Sequence, residues 1–488
     1  MFGRLGSFLG SKLSGGSDPA LEEELPFGAM MITLMAASGI SPYESFKRLR
    51  SVDALERLRE EGEEIVRQVE VLGKDPLTVM EMRATETRSR FYADFLEGYI
   101  SAVKSGGSVV NYLISKLRGI FEVRAANAQN TVERLETLVE SYMIMLIVIF
   151  CIYILSTVTS SSSLRMLGGG LPDTSTIVYP LVLVVIPVAS IIFMLLANRV
   201  RPSTLRGVRK PFMSGLVPGV IFAAFFAAVM LVPDLSFVQD LVELPLLVMA
   251  GLSAISILPS VTYMRIARVN FSAENAMPSF LRDVTEARRT GLSPEKSIVH
   301  AAARRGYGPF TSYLRRMVNQ IEWGVSLRRI YKSLKDWIKS WPVVVGFFIL
   351  VETIEIGGGD ANTLSLLAEF SEKTQNIEKS QRDMLRPYVI LPFVWTILMA
   401  FTITLTFFTM SQIHLPFSDE AVVASSSSVI IEAGIVFQCW MSGFFIGKVS
   451  DGNFASGFKY AGLLAVTAYA TLVLSERVVA NIFGGLLL

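Results

Sequence analysis

The chain writes one pattern twice, 252 residues apart. Pro26, Gly39, Pro42 and Ser45 fall without a gap on Pro278, Gly291, Pro294 and Ser297. Val66, Gln68 and Glu70 match Val318, Gln320 and Glu322, and Gly106-Gly107 match Gly358-Gly359. The apolar run near 138–158 then lands on 389–410. The repeated unit is therefore a polar segment joined to its own apolar anchor, a framework of two like parts rather than one asymmetric pocket.

Composition fixes the setting. Apolar residues make up 51% of the 488, charged ones 18%, and the mean hydropathy is +0.48, values that belong to a polytopic membrane protein. The net charge of +2 gives no general affinity for nucleic acid. Cys151 and Cys439 lie inside apolar runs, and His300 and His414 stand far apart, so neither a disulfide framework nor a metal or histidine-based site is expected. No cofactor is implied. Residues 1–19 lack the apolar core of a cleavable signal. Phe2, Leu5, Leu9 and Leu13 recur at helical spacing beside Arg4 and Lys12, as in a short helix on a membrane surface or a frayed tail.

Seven apolar runs near the length needed to cross hydrocarbon occur at 137–159, 176–197, 211–232, 241–264, 387–410, 420–447 and 460–483. Their orientation follows from the basic residues. The loop 198–210 carries Arg199, Arg201, Arg206, Arg209 and Lys210, whereas loops 233–240 and 411–419 carry no Lys or Arg. With the N-terminus inside, 43 of the 45 basic residues fall on the cytoplasmic side, Arg165 and Arg477 being the exceptions. The expected order is an N-terminal tail (1–18), a cytoplasmic domain (19–136), four spans (137–264), a second cytoplasmic domain (265–386) and three spans (387–488), with the C-terminus outside.

Both polar domains read as helical bundles, and the fold class is all-α. Leu314, Met317, Val318 and Ile321 form an i, i+3, i+4, i+7 stripe, and Ile65, Val66, Val69 and Leu72 repeat it. Gly39-Ile40-Ser41-Pro42 and Gly291-Leu292-Ser293-Pro294 each stop one helix and start the next. The charges of the two copies differ. Residues 1–136 hold 17 basic and 20 acidic side chains, and residues 265–386 hold 19 and 13. Arginine doublets recur in the second copy: Arg288-Arg289, Arg304-Arg305, Arg315-Arg316 and Arg328-Arg329. Singly, each arginine reads as solvated helix face; together they make a candidate docking surface for an acidic cytosolic partner, with anionic headgroups as the competitor.

Other strings carry less. Gly73-Lys74 and Gly447-Lys448 lack the glycine framework of a Walker A loop, so any ATP hydrolysis belongs to another subunit and no enzyme activity is expected. Gly357-Gly358-Gly359-Asp360 contains the GxGD string of intramembrane aspartyl proteases, but no span holds an interior aspartate to pair with it. Glu432 lies deep in a span, after Ser425 and Ser428 and before Gln438, and reads as a polar seam in helix packing before an ion site.

The duplicated domains, their anchors, and the opening signatures Leu25-Pro26-Phe27 to Glu44 and Met277-Pro278-Ser279-Phe280 to Glu295 resemble the inner-membrane platform proteins of type II secretion and type IV pilus machines. The glycine pair and leucines of 357–367 look like that family's as well. The extra spans and the segment 443–460 resemble its archaeal branch, which serves archaella and adhesive pili. The resemblance implies a mechanical part, with a hexameric cytosolic secretion ATPase below, pilin or archaellin subunits beside it in the bilayer, and a homodimeric state. A secondary transporter and a scaffold for another membrane complex are the alternatives on residues alone.

Overall fold

A computed structural model describes residues 18–50, 52–159, 180–203, 205, 209–231, 243–357, 359–413 and 420–484. The tail residues Phe2, Leu5, Leu9 and Leu13, the loop 233–240, Arg165, Arg206, Gly358 and the side chains of Ser425 and Ser428 lie outside that description. In chain order the first copy holds α1 (Pro19–Ala37), α2 (Pro42–Leu49), α3 (Glu56–Glu70), α4 (Pro76–Glu86), α5 (Arg90–Lys104) and α6 (Val109–Thr159). Then come α7 (Ile186–Val200), α8 (Lys210–Leu231) and α9 (Leu244–Arg289). The second copy continues with α10 (Pro294–Ala303), α11 (Thr311–Glu322), α12 (Leu327–Trp337), α13 (Trp341–Gly357) and α14 (Ala361–Leu385). The last three are α15 (Leu391–Ile413), α16 (Glu420–Asp451) and α17 (Gly457–Gly484). No strand occurs among the described residues.

The duplication is visible helix for helix, α2 to α6 matching α10 to α14. It begins at the stop–start signal. In the first copy Gly39 N–H donates to Ala36 O at 3.0 Å and Ile40 N–H to Met35 O at 3.0 Å. In the second, Gly291 N–H donates to Arg288 O at 3.0 Å and Leu292 N–H to Ala287 O at 3.4 Å. Both are Schellman closures, and they need φ of +84° and +89°, which glycine reaches without a Cβ penalty. Ser41 Oγ and Ser293 Oγ then cap the following helices at Glu44 N and Lys296 N.

Two compact units emerge, one from residues 1–128 and 268–379, the other from 129–267 and 380–488. The two helical copies pack on one another and share one core in the first unit. Phe27 meets Trp341 edge-on at 4.6 Å, and Trp341 Nε1–H donates to Ala54 O at 2.8 Å. Phe121 of α6 stacks on Phe370 of α14 at 5.1 Å, and Arg124 pairs with Glu378 at 3.7 Å. An amphipathic stripe says which face of a helix is buried, not which helix buries it.

Within this unit the second copy has a base and a tip. Asn270 Oδ1, near where α9 arrives from its apolar stretch, accepts from Lys339 N and Ser340 N at 2.7 and 2.9 Å. Ser272 Oγ donates to Tyr307 O at 2.9 Å. The turns before α11 and α13 therefore sit at the base. The turns after α11 and α13 sit at the tip, where Arg288 Nε donates to Gly359 O at 2.8 Å.

The second unit has a core of its own but also exposes many large apolar side chains. Leu155, Leu216 and Ile221 are 65%, 65% and 64% exposed. Such a surface is unstable in water and is at rest against lipid. Among the described residues five helical segments are long and apolar enough to cross a membrane: Val109–Leu155, Leu244–Arg289, Ala361–Thr409, Val429–Asp451 and Phe454–Ile482. The other two expected spans fall on the shorter apolar helices Ile186–Val200 and Lys210–Phe226.

Candidate docking surface and intramembrane polar seam

The eight arginines of the doublets divide sharply by what they touch. Arg288 reaches the carbonyls of Gly359 and Leu292, tying two tip turns together. Arg289 pairs with Glu286 at 3.1 Å. Arg304 pairs with Asp283, the carboxylate to which the Tyr307 hydroxyl also donates. Burial, and then that hydrogen bond, raise the Tyr307 pKa, so the hydroxyl keeps its proton and remains a donor. Arg316 lies over Tyr313 and Trp337, 5.5 and 5.6 Å from their ring centres.

Arg328 is the most committed. It pairs with Glu352, whose side chain is 1% exposed, and with Glu355 at 3.7 Å. Its partner sits too deep to be left alone. Arg328→Ala is expected to cost about 3 kcal/mol by stranding the Glu352 carboxylate. Adding Glu352→Leu is expected to recover most of that loss, a coupling that a double-mutant cycle on thermal melting reads directly.

Arg305, Arg315 and Arg329 remain. All three are exposed and have no ion pair among the described residues. Five of the doublet arginines thus have contacts within the chain, and three are exposed with no ion pair among the described residues. Composition could not separate them, because the partners Asp283, Glu352 and Gly359 lie 21, 24 and 71 residues from the arginines that they hold. Exposed as well is a residue with no role in the sequence analysis: Trp323, in the turn between α11 and α12, is 84% exposed. The signal for it was a tryptophan placed off the buried stripe and just before a glycine.

Asp360 of the GxGD string has an ordinary structural duty. Its carboxylate accepts from Asn362 N at 3.0 Å and caps α14.

In the second unit Gln438 is 2% exposed, and its amide donates to Ser190 Oγ at 2.9 Å and Tyr142 OH at 3.1 Å. Tyr142 OH and Ser442 Oγ share a bond of 2.7 Å. The seam thus knits α6, α7 and α16 through neutral groups, which costs far less in hydrocarbon than charge. Of the other expected members, Glu432 is half-buried on the same helix, with no hydrogen bond or ion pair among the described residues. The sequence missed Tyr142 and Ser190, since a tyrosine and a serine in apolar runs do not announce that they face each other.

A second polar cluster closes α16. Arg201 donates to Val449 O and Ser450 O at 3.0 and 3.2 Å, while Lys448 Nζ donates to Gly452 O at 2.9 Å and Ser203 Oγ at 3.2 Å. Two cations therefore satisfy the carbonyls that a helix leaves open at its negative end. In sequence both counted only as topology signals.

Residues 29–157 and 280–407 each match the family described as Type II secretion system (T2SS), protein F. The chain belongs to the type II secretion system protein F family. Each matched copy runs from the polar domain through the apolar helix after it, the repeat that opened the sequence. An uncharacterized protein of Methanocaldococcus jannaschii is 22% identical over 483 residues, covering 92% of this chain and 79% of that protein. No solved structure matches. This protein F family member is an all-α, multi-pass protein of the cytoplasmic membrane, a platform of secretion and pilus-type machinery.

Proposed function

We propose that this platform seats a hexameric cytosolic secretion ATPase on its first unit and the base of a pilin or archaellin filament among its apolar helices. Movement of the ATPase would shift the shared core of the two copies and help lift subunits from the bilayer into the filament. The N-terminus lies in the cytoplasm and the C-terminus outside, as the distribution of basic residues favours, and the working form is a homodimer in a lipid bilayer. No catalytic role is assigned to it.

The observation that carries this reading is the trio of outward arginines on the second copy. Three exposed arginines with no ion pair among the described residues favour an acidic partner. Of the eight doublet arginines the docking group is Arg305, Arg315 and Arg329; Arg288, Arg289, Arg304, Arg316 and Arg328 are engaged within the chain. Replacing Arg305, Arg315 and Arg329 together by Glu is expected to abolish binding of the ATPase to the full-length protein in nanodiscs. Membrane insertion and melting temperature should stay as in the wild type. Unchanged binding would refute the docking surface.

A further inference from the structure

Two of the outward arginines, Arg315 on α11 and Arg329 on α12, lie on the helices that flank the exposed indole of Trp323. Trp323 closes the row that α11 exposes: Arg315, Asn319 and Trp323 follow at i, i+4 and i+8, with Glu322 beside them. Across the turn, α12 exposes Arg329 and Lys332, three residues apart on one face, and neither has an ion pair among the described residues. A tryptophan bordered by unpaired cations has the composition of an interface centre, where Trp and Arg carry most binding energy.

Within the second copy Trp323 lies away from the base. α11 leaves the base beside Ser272 and runs 12 residues, so Trp323 stands about 18 Å away at the tip.

The first copy supplies a contrast. Its equivalent turn exposes Val71 and Leu72, at 74% and 60%. The exposed charged side chains around that turn are mostly acidic, Glu63, Glu70 and Asp75 against Arg67, with Glu70 paired to Lys47 at 2.7 Å. One turn geometry thus displays apolar side chains twice, in an acidic setting and in a basic one. A partner that reads both shape and charge distinguishes the copies.

We propose that Trp323 anchors the docking surface of the second copy, its indole entering an apolar pocket on an acidic, soluble protein while Arg315, Arg329 and Lys332 meet that partner's carboxylates. The inference rests on the ATPase-docking reading and adds to it the anchor residue, the face and the chemistry of the pocket.

The test uses the full chain in nanodiscs of neutral lipid and the hexameric secretion ATPase purified from the same organism. Trp323→Ala is expected to weaken binding by about tenfold or more, with Trp323→Phe keeping part of the affinity. The salt dependence of Trp323→Ala should match the wild type, whereas Arg315→Glu with Arg329→Glu should lose both affinity and salt dependence. Iodide quenching assigned to Trp323, by difference from Trp323→Phe, should fall when the ATPase binds. Full affinity in Trp323→Ala with lost affinity in the arginine pair would overturn the anchor and leave the docking reading standing. Full affinity in all variants would overturn both. Shielding of Trp323 from iodide by anionic nanodiscs alone would make it a lipid-surface residue and overturn the proposal.

Discussion

Replacing Trp341 by Ala is expected to lower the stability of the first unit by roughly 3–5 kcal/mol, a large share of what a domain has to lose. The side chain is 6% exposed and fills the seam between the two copies. Removing it opens a cavity against the edge of Phe27 and strands the Ala54 carbonyl that the indole N–H now satisfies at 2.8 Å. The effect crosses the duplication, because Phe27 and Ala54 belong to the first copy and Trp341 to the second. Hydrogen exchange measured on the full-length protein should show α3 and α13 losing protection together. Loss confined to the second copy would mean two independent bundles and would contradict the shared core. Trp341→Phe keeps the ring but not the donor, and should fall between the two.

This shared core marks the limit of what the residues disclosed. The local chemistry was legible. Gly39 and Gly291 announced turns that only a residue free to take positive φ can make, and Ser41 and Ser293 announced caps, because such signals act over a few residues. The stripe of Leu314, Met317 and Ile321 was legible for the same reason, since helical period fixes a face. Partners were not. Trp341 and Ala54 are 287 positions apart, and no periodicity joins them. The arginine surface was half legible: the cluster showed in composition, but its division into holding and outward members depends on carboxylates and carbonyls brought in by other helices. The polar seam followed the same rule, Gln438 being visible as a lone amide in an apolar run and Tyr142 hidden until packing placed its hydroxyl 3.1 Å away.

A packing signal of another kind lies in α16 and α17, and it carries the second large prediction. Gly443 and Gly447 stand one helical turn apart, and Gly457 and Ala461 stand likewise on α17. A Cβ on Gly443 would lie 2.3 Å from the Ala461 Cα, and one on Gly447 would lie 2.4 Å from the Gly457 Cα. These are backbone atoms, which cannot swing aside as a side chain can. The two helices therefore meet backbone to backbone, the close approach that small residues at this spacing allow between membrane helices. Ser456 Oγ adds a bond to Gly447 O at 2.7 Å, at the same level as the Arg201 and Lys448 cap of α16. Gly447→Val must push α17 away, and with it goes the geometry on which that cap depends. The expected cost is about 3 kcal/mol or more, read as a drop in melting temperature and loss of the monodisperse peak of the detergent-solubilised protein. Gly219→Ala is the control: a Cβ there meets nothing within 4 Å, so melting should hold or rise slightly. Equal melting of Gly447→Val and wild type would refute the backbone contact. Because the spacing Gly443, Gly447, Gly457, Ala461 is a property of sequence that acts only through packing, this hairpin is where pattern and structure explain each other most directly.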